Sequence, residues 1–354
     1  MKTQSMRILV VTDAWRPQVN GVVHTLEAVA RALPEVGATM EFLTPQGFPT
    51  APMPTYSEIR LALATPWEVE KRIDAVEPDH IHIATEGPLG LTARRLCLMR
   101  NVAFTTSYHT RFPEYLYTRT RIPLGLSYAA LRSFHNAGAG LMVSTPRLAD
   151  ELETRGFRKP MIWSRGVDET LFHPRESSLD LPRPIFLYVG RVAPEKNIEA
   201  FLSLDLPGAK VVVGDGPARA PLEAAFPKTR FLGMKRGEDL ARLYASADVF
   251  VFPSLTDTFG IVLLEALSCG VPVAAFPVQG PLDVIGDSGA GALSHDLRAA
   301  CLAALEIPRE TALAHAARYT WRASAEQFFS NVIAARAAAR QNLSWARPAR
   351  AEAV

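Results

Sequence analysis

A chain of 354 residues is long for a single hydrophobic core, so two domains are the default. Its hydrophobic content of 48% supports well-packed cores, and a formal charge of +2 leaves no global field for nucleic acid. Cys97, Cys269 and Cys301 are odd in number and lack metal-ligand spacing, which reads as reduced, buried thiols in a cytosolic protein; no signal peptide and no membrane-spanning apolar run is visible.

Residues 7–13 read as a first buried strand, followed by a loop and an amphipathic helix from Gly21 through Leu33, with Leu26, Val29, Ala30 and Leu33 at helical spacing. Gly21 either lets a ligand approach the backbone or is a plain helix start. Strands are expected at 39–43 and 59–63 with a Pro-rich loop between them, then a helix over 67–76. His80 and His82 share one face of a strand over 79–84, and without a third ligand they read as structural. Glu86 follows at that strand's carboxyl end, where open α/β sheets bind ligands, and Pro88 suits a first helical turn. Glu86 reads either as an acceptor-site group or as a helix-terminal charge. The strand 102–107 delivers His109. Between residues 94 and 132 seven arginines (Arg94, Arg95, Arg100, Arg111, Arg119, Arg121 and Arg132) face a single acid, Glu114, with aromatic residues interleaved. This run predicts peripheral contact with an anionic lipid surface, against the alternative of a solvated helix face. A strand near 141–144 and a helix over 146–155, ended by Gly156, complete the half.

The second half repeats the alternation. An apolar strand, Ile185 to Val189, runs into Gly190, Arg191 and, at a helix start, Lys196. Two cations at a strand's carboxyl end can clamp a diphosphate. The strand Ala209–Val213 is followed by Gly214-Asp215-Gly216-Pro217, a weak turn signal. The strand Asp248–Phe252 ends in a polar loop and a helix opening near Phe259-Gly260. The amides of Gly260, Ile261 and Val262 and the helix dipole make an anion site there. Asp257 and Glu265 flank it with seven residues between them, a spacing that reaches hydroxyls on either side of a bound diphosphate. That suits a sugar nucleotide. Phe328, Phe329, Val332 and Ile333 give a helix from Trp321 to about Arg340 its apolar face, and the tail after Ser344 reads as loose.

The stretches Tyr188–Asn197 and Phe252–Leu267 together resemble the retaining glycosyltransferases of family four, the group 1 glycosyl transferases, over nearly the whole chain. Thr85-Glu86-Gly87-Pro88 and Tyr108-His109-Thr110 look most like bacterial enzymes that glycosylate diacylglycerol or phosphatidylinositol. The resemblance implies an α/β, GT-B fold: two Rossmann-like, doubly wound domains facing across a cleft, with a C-terminal helix crossing back to the first. The boundaries that follow are 1–172, a linker at 173–184, 185–320, a crossover helix over 321–343 and a tail over 344–354. The implied donor contacts are Gly21, Arg191, Lys196, Met234, Lys235, Asp257, Phe259, Gly260, Ile261, Val262 and Glu265. Asp13, Glu86 and His109 are implied on the acceptor side. His109, Arg191, Lys196 and Asp257 carry the chemistry, with Glu265 on the nucleotide ribose and Asp257 on the donor sugar. Asp257 stands where the family commonly has Glu. The expected partners are a nucleotide-diphosphate sugar, UDP favoured over GDP-mannose, and a membrane-lipid acceptor. No Asp-x-Asp motif is present, so no metal cofactor is expected. The competing readings are a glycoside hydrolase using Asp257 and Glu265, which the Arg191/Lys196 pair disfavours, and a non-catalytic nucleotide-binding module.

Overall fold

The computed structural model describes residues 5–18, 21–53, 56–255, 257 and 259–339. Asn20, Thr256, Thr258, the tail over 344–354 and the side chains of Tyr115 and Arg119 lie outside the described residues. The chain divides into two compact units, Met1–Ser164 with Trp321–Val354, and Arg165–Thr320.

The first unit holds strands β1 (Met6–Val11), β2 (Ala38–Leu43), β3 (Thr50–Met53), β4 (Tyr56–Ala62), β5 (His80–Ile83), β6 (Phe104–Tyr108), β7 (Gly140–Val143) and β8 (Pro160–Ile162). Six of them form a parallel sheet in the order β2-β1-β5-β6-β7-β8. Successive residues of β1 alternate between the faces. Leu9 and Val11 pack with Ile73, Leu89 and Phe104, while Ile8 and Val10 pack with Leu26, Val29 and Trp163. Both faces are dry, which is why β1 is an unbroken apolar run. The remaining pair, β3 and β4, is an antiparallel hairpin off the main sheet. The Pro-rich stretch read as a loop therefore contains a strand, and a two-stranded edge tolerates its prolines.

The second unit holds β9 (Ile185–Val189), β10 (Ala209–Val213), β11 (Arg230–Phe231), β12 (Val249–Phe252), β13 (Val273–Ala275) and β14 (Gly291–Leu293), all parallel, in the order β11-β10-β9-β12-β13-β14. This is the doubly wound order whose direction reverses between β9 and β12. The first sheet reverses between β1 and β5.

The division between units comes at Ser164, earlier than residue 172. Val167 and Phe172 are buried in the second unit's core, and Phe172 packs edge-on against Tyr244 at 5.7 Å. Residues 173–184 are likewise part of that unit. Leu179 and Leu181 pack on its core, Arg175 pairs with Glu238, and the Ser178 amide donates to Ser246 Oγ. The composition of a linker hid a strap whose leucines are anchored. The final helix, Trp321–Ala338, buries Ala325, Phe328 and Val332 in the first unit's core.

Candidate active site

In the second unit, the carboxyl ends of β9 and β12 lie side by side at the switch point, and most of the implied donor residues sit on their loops. Asn197 Nδ2 donates to the Pro253 carbonyl at 3.1 Å, tying one loop to the other. Lys196 stands at the end of a single 3-10 turn, Pro194–Lys196, rather than at the start of a helix; the short helix Ile198–Leu202 follows it. Its ammonium donates to both oxygens of Asp257, at 2.6 and 2.9 Å. Both side chains keep about a fifth of their surface exposed. The pair is therefore neither a solvated surface contact nor a sealed ion pair, and a ligand can reach it. Asp257, read as a sugar ligand, holds the lysine in place in this structure. Arg191 is exposed on the loop before it.

Gly260 caps the helix Ile261–Ser268 with a φ of +85°, in the left-handed region where glycine carries no Cβ penalty. The helix begins one residue later than Gly260. The amides of its first turn, Ile261 and Val262, have no preceding carbonyl within the helix to bond. Phe259 is buried beneath this turn. Ser254, 1% exposed, has a hydroxyl with no hydrogen-bond partner among the described residues. Glu265, one turn further on, accepts a hydrogen bond from the Tyr244 hydroxyl at 2.8 Å. Burial pushes the Glu265 carboxyl up to about 7, against the lowering effect of that bond. Met234 and Lys235 are exposed just after β11, next to Gly233, whose carbonyl accepts from Gly214 N at 2.9 Å. The glycine pair at 214 and 216 does serve close backbone approach, but of protein rather than ligand. A Cβ at Gly214 would lie 1.8 Å from the Gly190 carbonyl, and one at Gly216 would lie 2.3 Å from that of Val192.

The first unit's implied residues are engaged internally. Asp13 is 5% exposed, and its carboxylate accepts from the amides of Leu89 (3.0 Å) and Gly90 (3.3 Å) and from the Thr85 hydroxyl (3.0 Å). It thereby anchors the first turn of the helix Pro88–Met99, and burial raises its carboxyl above the usual range. Glu86 Oε1 lies 3.0 Å from His135 Nε2, whose Nδ1 meets the Thr106 hydroxyl at 2.9 Å. Glu86 remains partly exposed. His109 is half-buried at the end of β6, edge-on to Trp163 at 5.7 Å. Gly21 is exposed at the start of its helix. His80 and His82 are wholly buried and share the Thr105 hydroxyl at 2.9 and 2.8 Å, with Ser107 on the far nitrogen of His82 at 2.8 Å. Burial lowers His80 to about 3, so the ring is a neutral core element.

The arginine run changes character in three dimensions. Arg100 pairs with Glu70 and Asp74, and Arg111 with Glu151 and Glu114. Arg94 donates to the carbonyls of Ser133 and Phe134, and Arg132 to that of Arg155. Acids remote in sequence thus pair with Arg100 and Arg111, while Arg94 and Arg132 keep their charge and bond carbonyls. What stays outward is Arg95, Arg121, Arg132 and a set of apolar side chains: Phe112, Tyr117, Ile122, Leu124 and Leu126. Among the described residues no helix is long and apolar enough to cross a membrane.

Residues 19–171 match the model of Glycosyltransferase Family 4, and residues 170–305 match that of Glycosyl transferases group 1. Over 317 residues the chain is 30% identical to a GDP-mannose-dependent alpha-mannosyltransferase of Mycobacterium tuberculosis, covering 81% of this chain and 83% of that one. The chain belongs to the family-four glycosyltransferases. This glycosyltransferase is also 32% identical over 259 residues to Sulfoquinovosyl transferase SQD2 of Arabidopsis thaliana; the match takes in 68% of the chain and about half, 51%, of the plant protein. Its fold is that of the sucrose-phosphate synthase of Thermosynechococcus elongatus (TM-score 0.76, 19% identity, 94% of this chain and 100% of that one). Anabaena HepE in complex with UDP is similar at a TM-score of 0.68 and 15% identity, over 93% and 100% of the two chains. The glycosyltransferase thus has the GT-B fold, two Rossmann-like units with parallel sheets.

Two polar residues near this switch point had no role legible in the sequence. Ser254 lay inside the quoted motif without a role. Tyr244 sits in an apolar helical run, and only its hydroxyl set it apart from the core phenylalanines around it.

Proposed function

We propose that this glycosyltransferase moves a hexosyl or uronosyl unit from a nucleotide-diphosphate sugar, UDP-linked by preference, to the hydroxyl of a membrane lipid such as diacylglycerol, with retention of anomeric configuration. The observation that carries the reading is the β9/β12 switch point, where the Lys196–Asp257 pair lies on adjoining loops of one unit and the amides of Ile261 and Val262 and the Glu265 carboxylate lie on the helix that follows β12. Lys196, with Arg191, would neutralise the departing diphosphate, and the helix terminus would add to that. Each hydrogen bond to a charged group is worth roughly 1.5–3 kcal/mol, and those that strengthen as charge develops lower the barrier. Glu265 would accept from the ribose hydroxyls. Asp257 would keep Lys196 aimed before the donor arrives and reach a sugar hydroxyl after it. Met234 and Lys235 would face the base. On the acceptor side the reading assigns Glu86 and His109, with Asp13 fixing the loop that presents Glu86. No metal ion is part of this scheme.

A second reading has GDP-mannose as donor, with phosphatidylinositol or a polysaccharide as acceptor. It is favoured by the mannosyltransferase relative that matches over most of its length. Peripheral membrane contact belongs to either lipid reading, and its support is the outward apolar set around Ile122 and Leu124 more than net charge. Incubation with labelled UDP-sugars and GDP-mannose, with diacylglycerol or phosphatidylinositol in vesicles, separates the two. NMR of the new anomeric centre reads retention; an inverted product or simple glycoside hydrolysis overturns the proposal.

A further inference from the structure

Tyr244 is fully buried in the second unit, on the helix Gly237–Ser246, with its ring against Phe172 (5.7 Å) and Phe250 (5.6 Å). It is unusual there in carrying a polar atom, and the atom is not idle: the hydroxyl donates to Glu265 Oε2 at 2.8 Å. Glu265 lies on a different helix, Ile261–Ser268, and is partly exposed. Its other oxygen, Oε1, accepts no hydrogen bond among the described residues. We propose that Tyr244 is the positioning residue of the nucleotide site: its immobile hydroxyl fixes one oxygen of Glu265 so that the other meets the vicinal hydroxyls of the ribose. The inference rests on the assignment of Glu265 to the ribose and deepens it.

The same bond bears on the charge of Glu265. Burial disfavours the carboxylate, and Tyr244 opposes burial, leaving the group at about 7. The other ionisable groups facing this place do not change charge near neutrality. Cys269, on the same helix, is pushed up to about 12. Tyr244 itself, and Tyr188 from β9 behind it, are raised above the ordinary phenol value by burial. Arg175 from the strap and Arg309 from the helix Arg309–Ala316 lower Cys269 electrostatically against its burial. Glu265 alone among them titrates in the neutral range. A ribose diol donates hydrogen bonds and needs the ionised acceptor, so donor affinity should fall as pH drops through about 7.

The test measures binding of UDP-glucose and GDP-mannose by calorimetry between about pH 6 and about pH 8.5. A sugar nucleotide is the right probe because its diphosphate, esterified at both ends, has no proton to lose in that range. In Tyr244→Phe the ring packing is kept and the donor is lost. The midpoint of the affinity curve should move upward by about one pH unit, so that binding is weakened about tenfold at the acid end and much less at the alkaline end. Incorporating 3-fluorotyrosine at position 244, a stronger hydrogen-bond donor, should move it the other way. Glu265→Gln should flatten the dependence. If Tyr244→Phe weakens binding equally at every pH, or not at all, while Glu265→Gln still removes the pH dependence, Tyr244 is a packing residue and the ribose assignment stands. If Glu265→Gln leaves both affinity and pH profile intact, the ribose assignment itself fails.

Discussion

In the first unit, Asp13 and Glu86 stand at the carboxyl ends of β1 and β5 with their oxygens given to backbone amides, a threonine hydroxyl and a buried histidine. In the second, Asp257 and Glu265 stand at or beyond the end of β12 with one cationic partner and one phenol partner; both are partly exposed, as Glu86 is, whereas Asp13 is buried. The sheets are alike, and the switch points are alike. The difference lies in what the acids are tied to. An acid held by amides of its own fold defines a surface; an acid held by a lysine or a single hydroxyl can exchange that partner for a ligand. Removing Asp13, the acid held by amides, should cost stability, and removing Asp257 or Glu265 should cost binding or turnover.

The largest effect expected is on the second unit's chemistry. Arg191→Ala or Lys196→Ala should lower turnover about a hundredfold, ~2.7 kcal/mol of barrier, with the melting temperature little changed. Steady-state kinetics with normal turnover in both variants would erase the contrast between the units. Next comes acid. His80 and His82 are neutral in the folded first unit and titrate near 6.5 when unfolded, so the folded state refuses protons that the unfolded chain takes up. Their stability contribution is fully present above about pH 6.5 and is lost as pH falls toward the folded value, roughly 2 kcal/mol for His80 alone by about pH 5. Amide exchange should show β5 and β6 losing protection before β9 and β12; simultaneous loss would count against it.

Asp13→Asn should be smaller. An amide offers one acceptor where Leu89, Gly90 and Thr85 present three donors. Loss of about 1.5 kcal/mol should lower the melting temperature by several degrees. A variant with unchanged melting but a raised acceptor KM would move Asp13 into the functional class. Glu265→Gln should act in the opposite sense on stability. The folded value of Glu265 lies near 7, above its ordinary 4.5, so its contribution is fully present below about pH 4.5 and is lost as pH rises through about 7. Above pH 7 the glutamine variant should be more stable by about 1 kcal/mol, and the gain should vanish at acid pH. Thermal melts across pH check this, and a variant no more stable at pH 8 would speak against a strained carboxylate.

Much of the fold was legible because parallel strands buried on both faces leave unbroken apolar runs, as at Ile8–Val11, Ile185–Val189 and Val249–Phe252. The loops proposed to hold the donor were legible because Gly190 and Arg191 directly follow one such run, and Lys196 and Gly260 fall within eight residues after theirs. Three things were not. The Pro-rich strand β3 carries no apolar pattern. The neutralisation of Arg100 by Glu70 and Asp74, and of Arg111 by Glu151, depends on tertiary approach across 26–40 residues of chain. Tyr244 reads as core because its ring is core; the function attributed to it resides in a single oxygen atom.

The helix Trp321–Ala338 completes a core whose sheet was made first. A polypeptide leaving the ribosome presents residues 6–162 early, yet the groove lined by Ile8, Val10, Leu26, Val29 and Trp163 stays open until Phe328 and Val332 have emerged. Residues 165–320 are contiguous and need no later segment. The second unit can therefore close first during synthesis, while the first still lacks Phe328 and Val332 for one face of its sheet.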